Sequence, residues 1–397
     1  MSVSDCLITL ASECVWNHPY GSMKLCPEEA DSEVTVTASV LHGVRDLRIE
    51  TRTIAVKSTG ICGSDQHYYN HFRNGDILVR EPLSLGHESS GVVEAIRSNV
   101  TGQFQRGDRV AIEVGVPCEN CRYCQVGRYN ICRGMRFRSS AKSFLHFQGT
   151  LQGRINHPAK WCHKLPENVT LDEGALLEPL SVAIHGVRRA RVQPGVNALV
   201  LGAGAVGLLA AAMLQVEKAA RITIADIEGR RVEFATQNGL ADVGVTIPRT
   251  RPKSEAIEYR LANAQETAEV LIRGPDEPLY DVVFECTGVE ACVRAAIYAT
   301  APGGAVMLIG MGTPIQTLPV AAAALREFDL LGVFRYANTY KYGLELLADR
   351  QKSRLPDISK LAIHRFGGID KVVDTFATAA KPVDEHGDLV LKVVIET

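Results

Sequence analysis

The sequence has little net charge of either sign. Its 43 lysines and arginines nearly balance 45 aspartates and glutamates, which leaves a formal net charge of -2 over 397 residues. It also lacks a basic stripe and a long block of like charge. Binding to nucleic acid or to a membrane surface usually depends on such a patch. The composition therefore predicts that the protein binds neither.

The N-terminal segment lacks the features of a secretory signal. Its first residues, MSVSDCLITLASECVW, have no basic start, and serine and glutamate interrupt their apolar run. The cysteine count is odd, at eleven, which argues against a framework of disulfides. Together these absences predict a reducing, cytoplasmic location, where clustered cysteines are typically metal ligands.

Long hydrophobic runs are also scarce, and residues 198–214, ALVLGAGAVGLLAAAML, are the one stretch to weigh as a membrane span. Gly202, Gly204 and Gly207 favour another interpretation: a strand, a glycine turn, a helix and a second strand that ends at Asp226, nineteen residues after the last glycine. In a dinucleotide-binding unit these glycines make the turn, admit the pyrophosphate and let the helix pack on the strand. The pattern predicts a Rossmann domain and not a membrane span.

Asp226 bears on the choice of cofactor. An acid at this position is expected to bind the adenosine ribose hydroxyls and to repel a 2′-phosphate, which favours NAD over NADP. Arg230 and Arg231 follow closely, and a nearby arginine can accommodate that phosphate. The sequence leaves NADP open as the alternative.

The length predicts two domains, because 397 residues exceed what one hydrophobic core usually organises. Short β-rich runs precede residue 180, whereas the later segments YDVVFECTG and AVMLIGMG continue a strand–helix–strand rhythm. The end of the chain is too short for a third domain. We expect an α/β protein in which residues 1–179 and 335–397 form a mostly β domain and residues 180–334 form the Rossmann domain.

Four cysteines cluster within fifteen residues. Cys118, Cys121, Cys124 and Cys132 follow the spacing C-x2-C-x2-C-x7-C in a turn-rich loop. A closed site of four thiolates can hold such a loop in place of a hydrophobic core. The spacing predicts a structural zinc, with an iron–sulfur site or redox-active thiols as alternatives.

A second set of metal-ligand residue types is dispersed along the chain. Cys62 lies in GICGSD, His87 and Glu88 lie in GHES, and Glu178 lies in LLEPLSVAIH. Singly, each has an ordinary explanation in packing, at the surface or at a helix end. Together with a dinucleotide fold they suit a catalytic zinc, which takes three protein ligands and keeps one open position.

These segments carry a resemblance to a known family. The four-cysteine loop is joined by GICGSDQHYY, LGHESSGVVE, GDRVAIE, INHPAKWCHKLPENV, EGALLEPLSVAIH, GAGAVGL, FECTG and GVFRYANT. The chain resembles the zinc-containing medium-chain dehydrogenases, and within them the polyol branch of sorbitol, L-arabinitol and xylitol dehydrogenases. The resemblance implies a GroES-like catalytic domain with an inserted Rossmann domain, and an active site with one catalytic zinc in addition to the structural one.

The resemblance also implies roles for individual residues. Cys62, His87 and Glu88 would hold the catalytic zinc, and Glu178 would be either a fourth ligand or the residue that holds a zinc-bound water. Ser64 would relay the proton, and Asp65 would accept a hydrogen bond from the His87 ring.

Further positions of the resemblance concern the substrate and the cofactor. The expected substrate contacts are Tyr68, Phe137, Arg335 and Tyr336. The expected NAD contacts, besides Gly202, Gly204, Gly207 and Asp226, are Val206, Arg231, Ile309, Gly310, Met311, Phe334, Arg335 and Tyr336.

The implied activity is oxidation of a polyol by NAD, with sorbitol or xylitol oxidised at C2 and L-arabinitol as the alternative substrate. A catalytically silent relative is a further alternative, but such a protein need not keep Cys62, Ser64, His87, Glu88 and Glu178 together. The chain departs from the family pattern at a shortened segment between Ile54 and Ala55, in the loop at 139–149 and in the longer segment 248–271. A homotetramer is the expected assembly.

Overall fold

The computed structural model describes residues 56–96, 104–273 and 278–397, and the backbone of five earlier strands. Those strands are Leu7–Ile8, Cys14–Val15, Lys24–Leu25, Val36–Gly43 and Asp46–Arg52. The last two pair as an antiparallel hairpin. The shortened segment between Ile54 and Ala55 and most of the N-terminal sixteen residues lie outside the described residues.

The chain divides into two compact units. The first contains Met1–Glu178, Ala362–Lys381 and Lys392–Thr397, and the second contains Pro179–Leu361 and Pro382–Leu391. The boundary falls inside one helix, Leu171–Ala190.

The first unit is built on a sheet that has six strands in the described part of the chain. In spatial order they are Cys162–Lys164, Arg109–Ile112, Glu88–Val92, Ser58–Gly60, Lys392–Glu396 and Ala362–Gly367. All neighbours pair antiparallel except the last two strands, which are parallel. Helices Gly63–His71 and Val372–Ala379 accompany the sheet. Leu83, Leu85, Leu151 and Phe376 form part of its fully buried core, so the expected mostly β domain is confirmed.

Short elements complete this unit. The two-stranded pairings are Arg73–Asn74 with Ile77–Leu78, Gly115–Val116 with Arg136–Phe137, and Leu7–Ile8 with His157–Pro158. The helical turns are Arg122–Gln125, Tyr129–Ile131, Ala159–Trp161 and Ile369–Lys371.

The second unit contains a parallel sheet with six strands among the described residues. Their spatial order is Val243–Thr246, Arg221–Asp226, Asn197–Leu201, Tyr280–Glu285, Thr300–Leu308 and Asp329–Gly332. Its helices are Ala205–Val216, Gly229–Gln237, Ile257–Ile272, Glu290–Ala299, Val320–Ala324, Tyr340–Ala348, Arg350–Ser353 and the short turn Ile358–Leu361. The middle residues of the two central strands, 198–201 and 282–284, are apolar and buried because both faces of the sheet are covered. In chain order the sheet reads 3-2-1-4-5-6, the doubly wound order of a Rossmann fold.

Residues 198–214 have the predicted strand, glycine turn and helix. They form the buried strand Asn197–Leu201, a turn and most of the helix Ala205–Val216. Among the described residues, no helix has the length and hydrophobicity needed to cross a bilayer.

The chain returns to the first unit at Ala362, whereas the sequence predicted that it would return at Arg335. After Phe334 the chain stays on the second unit: Arg188 donates to the Asn338 carbonyl at 2.8 Å and stacks on the Tyr342 ring. The sequence pattern after residue 334 shows a helix but does not show which sheet that helix packs on.

Two glycines allow the first strand and helix of the Rossmann sheet to pack closely. Gly202 has φ +96°, which glycine adopts without strain. A β-carbon on Gly207 would lie 1.8 Å from the Gly202 carbonyl oxygen. No side chain can therefore be accepted at position 207 without moving the strand or the helix.

We expect Gly207→Ala to destabilise the fold by about 1–3 kcal/mol, the usual range for overpacking. Gly204→Ala is the matched control, since a β-carbon there would have no neighbour within 4 Å. Its effect should stay within about 0.5 kcal/mol. Urea denaturation of the three proteins measures both values, and equal stability of the two variants would contradict the packing argument.

Candidate active site

Strand pairing brings three predicted metal ligands together. Cys62 caps the helix Gly63–His71, which follows strand Ser58–Gly60, and Glu88 begins the neighbouring strand. The register pairs Gly60 with Glu88. As a result, one ligand atom each from Cys62, His87 and Glu88 lies within 4.8 Å of the other two. A thiolate, an imidazole and a carboxylate at this spacing fit a zinc ion.

Asp65 lies beside the imidazole of His87 and contributes a negative charge to it. Its Oδ1 lies 3.3 Å from His87 Nδ1, and both side chains are buried. Burial lowers the pKa of His87, but the negative charges of Asp65 and Cys62 outweigh it and raise that pKa well above its usual value. The surroundings therefore favour a positive charge on the ring, and a metal ion bound to Nε2 would replace the proton there.

Ser64 touches two of the three candidate ligands. Its hydroxyl donates to Cys62 Sγ at 3.3 Å and lies 3.4 Å from His87 Nε2. A hydroxyl in this position is close enough to both side chains to exchange a proton with its surroundings.

Lys392 is a site residue that the sequence reasoning missed. Its ammonium group lies 2.8 and 2.6 Å from the two Glu88 oxygens and donates to the Ile61 carbonyl at 3.1 Å. Burial lowers the pKa of Lys392, and the negative charges of Glu88 and Cys62 raise it above its usual value. The available signal was a lysine inside the apolar strand LVLKVVIE.

Glu178 is buried near this cluster but is not one of the three grouped ligands. Its negative charge is the smallest of the contributions that raise the pKa of Lys392, after those of Glu88 and Cys62.

Two predicted substrate contacts lie in the same unit. The Phe137 ring centroid is 5.7 Å from that of His87. Tyr68 is buried, and its hydroxyl accepts from the Ala141 amide at 3.3 Å. Phe137 therefore borders the metal ligands, and Tyr68 is fixed against the segment that follows Phe137.

The four cysteines of the loop converge. The Sγ of Cys121 is 3.5 Å from that of Cys124 and 3.8 Å from that of Cys132, and Cys132 is 3.4 Å from Cys118. Four sulfurs at about 2.3 Å from a zinc form a tetrahedron with edges of about 3.8 Å. The observed spacings match that tetrahedron, so the donor set fits zinc.

Without a metal ion, backbone hydrogen bonding and burial shift the pKa values of two cysteines of this loop in opposite directions. The Cys124 amide, directed at Cys121, lowers the pKa of Cys121 to about 6, whereas burial raises the pKa of Cys124 to about 12. Gly134 is a second missed residue, because a β-carbon there would lie 3.1 Å from Cys118 Cβ. The sequence alone could not have identified Gly134, because glycine is common in loops.

Asp226 lies at the carboxyl end of its strand, where a Rossmann fold binds nucleotides. Its Oδ2 accepts from the Ala203 amide at 2.7 Å and its Oδ1 from the Glu228 amide at 2.9 Å. The carboxylate is thereby fixed beside the glycine turn. Arg231 donates to the Val390 carbonyl at 3.1 Å, so one N–H group of its guanidinium is engaged in a hydrogen bond within the protein.

Glu285 connects the loop of Ile309 and Gly310, which is expected to contact the cofactor, with the turn at Thr287 and Gly288. Its carbonyl accepts from the amides of Ile309 and Gly310, each at 2.9 Å. Its buried carboxylate accepts from the amides of Thr287 and Gly288. Burial raises the pKa of this carboxyl group. Sequence reasoning missed it, although FECTG places an acid at the end of an apolar strand.

The remaining predicted contacts also belong to the second unit. Arg335 has a left-handed backbone, φ +52°, and its guanidinium stacks 4.8 Å from the Phe334 ring centroid. Tyr336 is buried against Tyr340, with ring centroids 5.5 Å apart. Met311 is half-exposed.

Comparisons with known proteins agree with this architecture. Residues 50–167 match the alcohol dehydrogenase GroES-like domain, and residues 205–349 match the zinc-binding dehydrogenase domain. The chain is 38% identical to sorbitol dehydrogenase of Gallus gallus over 354 residues, which cover 87% of this chain and 93% of that protein.

Two further similarities extend this result. L-idonate 5-dehydrogenase of Vitis vinifera is 37% identical over 355 residues, covering 87% of this chain and 91% of that protein. The crystal structure of L-idonate 5-dehydrogenase from Escherichia coli has a TM-score of 0.77 at 24% identity, and covers 92% of this chain and 99% of that one.

The resemblance found in the sequence motifs and the predicted fold class are both confirmed. The domain matches, the identity over most of two full-length relatives and the two folds described above lead to one conclusion: the chain belongs to the zinc-binding alcohol dehydrogenase family.

Proposed function

We propose that the chain holds two zinc ions of different type. The four-cysteine loop supplies a closed set of four thiolates, which supports a structural ion. Cys62, His87 and Glu88 supply three donors, which supports a catalytic ion with an open position. Glu178, which is outside the group of three, is proposed to act beside the ion and not as a fourth ligand.

Metal analysis of purified protein should therefore find two zinc ions per chain. Cys121→Ser should remove one ion and lower the melting temperature, because structural zinc binding is coupled to folding. Cys292→Ser, a free thiol outside both groups, should leave the zinc content unchanged. One ion or none in the wild type would contradict the proposal, as would a Cys121→Ser protein that melts normally but has lost turnover.

We propose that the reaction is the oxidation of a polyol hydroxyl to a ketone, with hydride transfer to NAD. The observation that carries this proposal is the contact of Ser64 with both Cys62 and His87, in a partly exposed position beside the buried His87 and Glu88. When bound, zinc supplies a Lewis acid that lowers the pKa of a hydroxyl, as it lowers that of water from 15.7 to about 7.

The chain's own residues perform the remaining tasks. Ser64 relays the hydroxyl proton: its oxygen accepts that proton while its own proton passes to water, which can reach this partly exposed side chain. Asp65 fixes the His87 ring, and Lys392 fixes the carboxylate of Glu88.

Adding NAD and a polyol to the protein should raise the absorbance of reduced nicotinamide, and a catalytically silent relative would show no change.

The substrate proposal is sorbitol or xylitol oxidised at C2, with L-arabinitol as the alternative. Sorbitol dehydrogenases are among the relatives at about two-fifths identity, and L-idonate 5-dehydrogenase is another. Arg335 supports an extended substrate with several hydroxyls, because a guanidinium offers five N–H donors in a fixed fork.

Arg335→Ala should lower turnover of polyols by about tenfold to a thousandfold, equivalent to about 1.4–4 kcal/mol of transition-state binding. Ethanol lacks the additional hydroxyls and should lose less. Lys341→Ala removes an exposed cation six residues away and should change neither. The kinetics of sorbitol, xylitol, L-arabinitol, L-idonate and ethanol decide the matter, and an equal loss on all five would exclude a polyol-binding role for Arg335.

The cofactor proposal is NAD in preference to NADP. It is supported by the carboxylate of Asp226, which two backbone amides hold at the end of its strand. A fixed negative charge there disfavours a 2′-phosphate, and Arg231 already donates to Val390.

Asp226→Ser combined with Ile227→Arg should shift the ratio of kcat/KM values toward NADP by on the order of tenfold to a hundredfold. Ile227 is half-exposed, so an arginine there can reach solvent and a phosphate. Ile227→Arg alone is the control and should shift the ratio less, because Asp226 remains. Equal use of both cofactors by the wild type would show that Arg230 or Arg231 overrides the acid.

We propose a homotetramer and a cytoplasmic location. The assembly is supported by exposed apolar side chains in the second unit, among them Ile315 and Leu325, which are 87% and 88% exposed. Strand Asp329–Gly332, at one edge of the parallel sheet, follows Leu325. The location is supported by the described cysteines, all of which are free thiols.

Light scattering should give the mass of four chains for the wild type. Leu325→Glu should reduce that mass, because it places a charge in an apolar contact. Val126→Glu changes an equally apolar, 69% exposed residue of the first unit and should leave the mass unchanged. A monomeric wild type would contradict the tetramer.

A further inference from the structure

Ser139 is linked to the candidate catalytic metal centre through Asp65. Its hydroxyl donates to Asp65 Oδ1 at 2.6 Å, and both residues are buried. The same oxygen lies 3.3 Å from His87 Nδ1 and accepts from the Gly86 amide at 3.2 Å. One carboxylate oxygen therefore accepts a hydrogen bond from Ser139 and makes a close charge contact with the ring of His87.

The other oxygen of this carboxylate points back to the first candidate ligand. Asp65 Oδ2 accepts from the Cys62 amide at 3.3 Å. A rotation of the carboxylate would change both its approach to His87 and its bond to Cys62. The group that holds Asp65 in place consequently controls two of the three candidate ligands.

The backbone of Ser139 is in a conformation that a serine rarely adopts. Its φ is +64°, in the left-handed region that favours glycine. Its amide donates to the Phe147 carbonyl at 3.0 Å. A glycine would fit this backbone with less strain, so the local geometry alone does not require a side chain here.

Its neighbours keep the hydroxyl in place. The Arg138 guanidinium is buried, donates to the Gln148 carbonyl at 2.8 Å and to His157 Nδ1 at 3.1 Å, and stacks 4.2 Å from the Phe147 ring centroid. Phe137, on the other side of Arg138, packs against His87. Arg138 thereby anchors the segment that carries both the ring against His87 and the hydroxyl on Asp65.

We infer that Ser139 is a positioning residue of the catalytic metal centre: its hydroxyl fixes the Asp65 carboxylate, which in turn fixes His87 for metal binding. This inference rests on the proposed function, in which Cys62, His87 and Glu88 hold zinc. It also makes the loop 139–149 part of the support of the metal centre, since that loop begins at Ser139.

Three variants separate the hydroxyl from the backbone. Ser139→Gly removes the hydroxyl and relieves the left-handed strain, and Ser139→Ala removes the hydroxyl but keeps the strain. Ser139→Thr keeps the hydroxyl and adds strain, because β-branched residues tolerate positive φ poorly. Ser140→Ala is the control for loss of a neighbouring buried hydroxyl.

The measurement is zinc release to a chromogenic chelator from the full-length protein. Zinc release should show two phases, one for each ion. The phase that disappears in Cys62→Ser belongs to the catalytic ion, and the phase that remains belongs to the four-cysteine loop. We expect Ser139→Gly and Ser139→Ala to weaken catalytic zinc binding by about three- to tenfold. This is less than the about 10- to 100-fold typical of groups that contact a ligand directly. The four-cysteine phase should not change.

The melting temperatures of the Ser139 variants should not follow their zinc affinities. Ser139→Gly should melt at or above the wild-type temperature although it binds zinc less tightly. Ser139→Thr should melt lower and yet bind zinc within about twofold of the wild type. Cobalt substituted at the catalytic site provides a second readout, because its visible spectrum should shift in the two variants without a hydroxyl and not in Ser140→Ala.

A double-mutant cycle tests the route through Asp65. In an Asp65→Asn background, Ser139→Gly should have little further effect, since coupled residues are not additive. If Ser139→Gly kept the wild-type zinc affinity and cobalt spectrum, the inference about Ser139 would be wrong and the proposed function would stand. A wild-type protein without a Cys62-dependent zinc phase would overturn the proposed function and this inference with it.

Discussion

The pairing of one three-residue strand organises the candidate active site. Ser58–Gly60 lies between Glu88–Val92 and Lys392–Glu396, and the register places Gly60 opposite both Glu88 and Val394. Cys62 follows this strand after one residue, Ile61, so the same backbone hydrogen bonds that form the sheet bring thiolate, imidazole, carboxylate and ammonium together. A β-carbon on Gly60 would lie 2.4 Å from Glu88 Oε2, which leaves little freedom at that position. Moving the register by one residue would turn Glu88 to the opposite face of the sheet.

The two candidate metal sites depend on the fold to different extents. The four cysteines come from one loop with short local elements, so that loop needs the ion more than it needs a core. Cys62, His87 and Glu88 are instead held by the sheet, by Asp65 and by Lys392. Buried charges of both signs around these ligands compensate one another, which reduces the cost of burying them. The sheet can therefore organise this site before a metal binds.

Sequence reasoning was most effective where the determinants are local. The glycine turn, the apolar strands and the acid at position 226 predicted the Rossmann sheet, because a strand buried on both faces and a helix have distinct patterns over a few residues. Cysteine spacing grouped Cys118 with Cys132 for the same reason. Lys392 was missed because it pairs with Glu88, 304 positions away, through a strand register that no local pattern encodes. Ser139 gave no signal either, since its importance arises from a backbone angle and from a buried neighbour on another segment. The segment after Phe334 was assigned to the wrong unit because an amphipathic helix does not specify its partner.

The separation of Lys392 from Glu88 along the chain has a consequence for biosynthesis. Domains generally fold as they emerge, beginning at the N-terminus. The first unit cannot do so, because its sheet needs strand Lys392–Glu396, which is synthesised only after the strands of the second unit. Until that strand is made, Glu88 is a carboxylate without the Lys392 counter-ion, and strand Ser58–Gly60 has an open edge. The nascent first unit is thus exposed to premature metal capture and edge-to-edge association while the second unit is being translated.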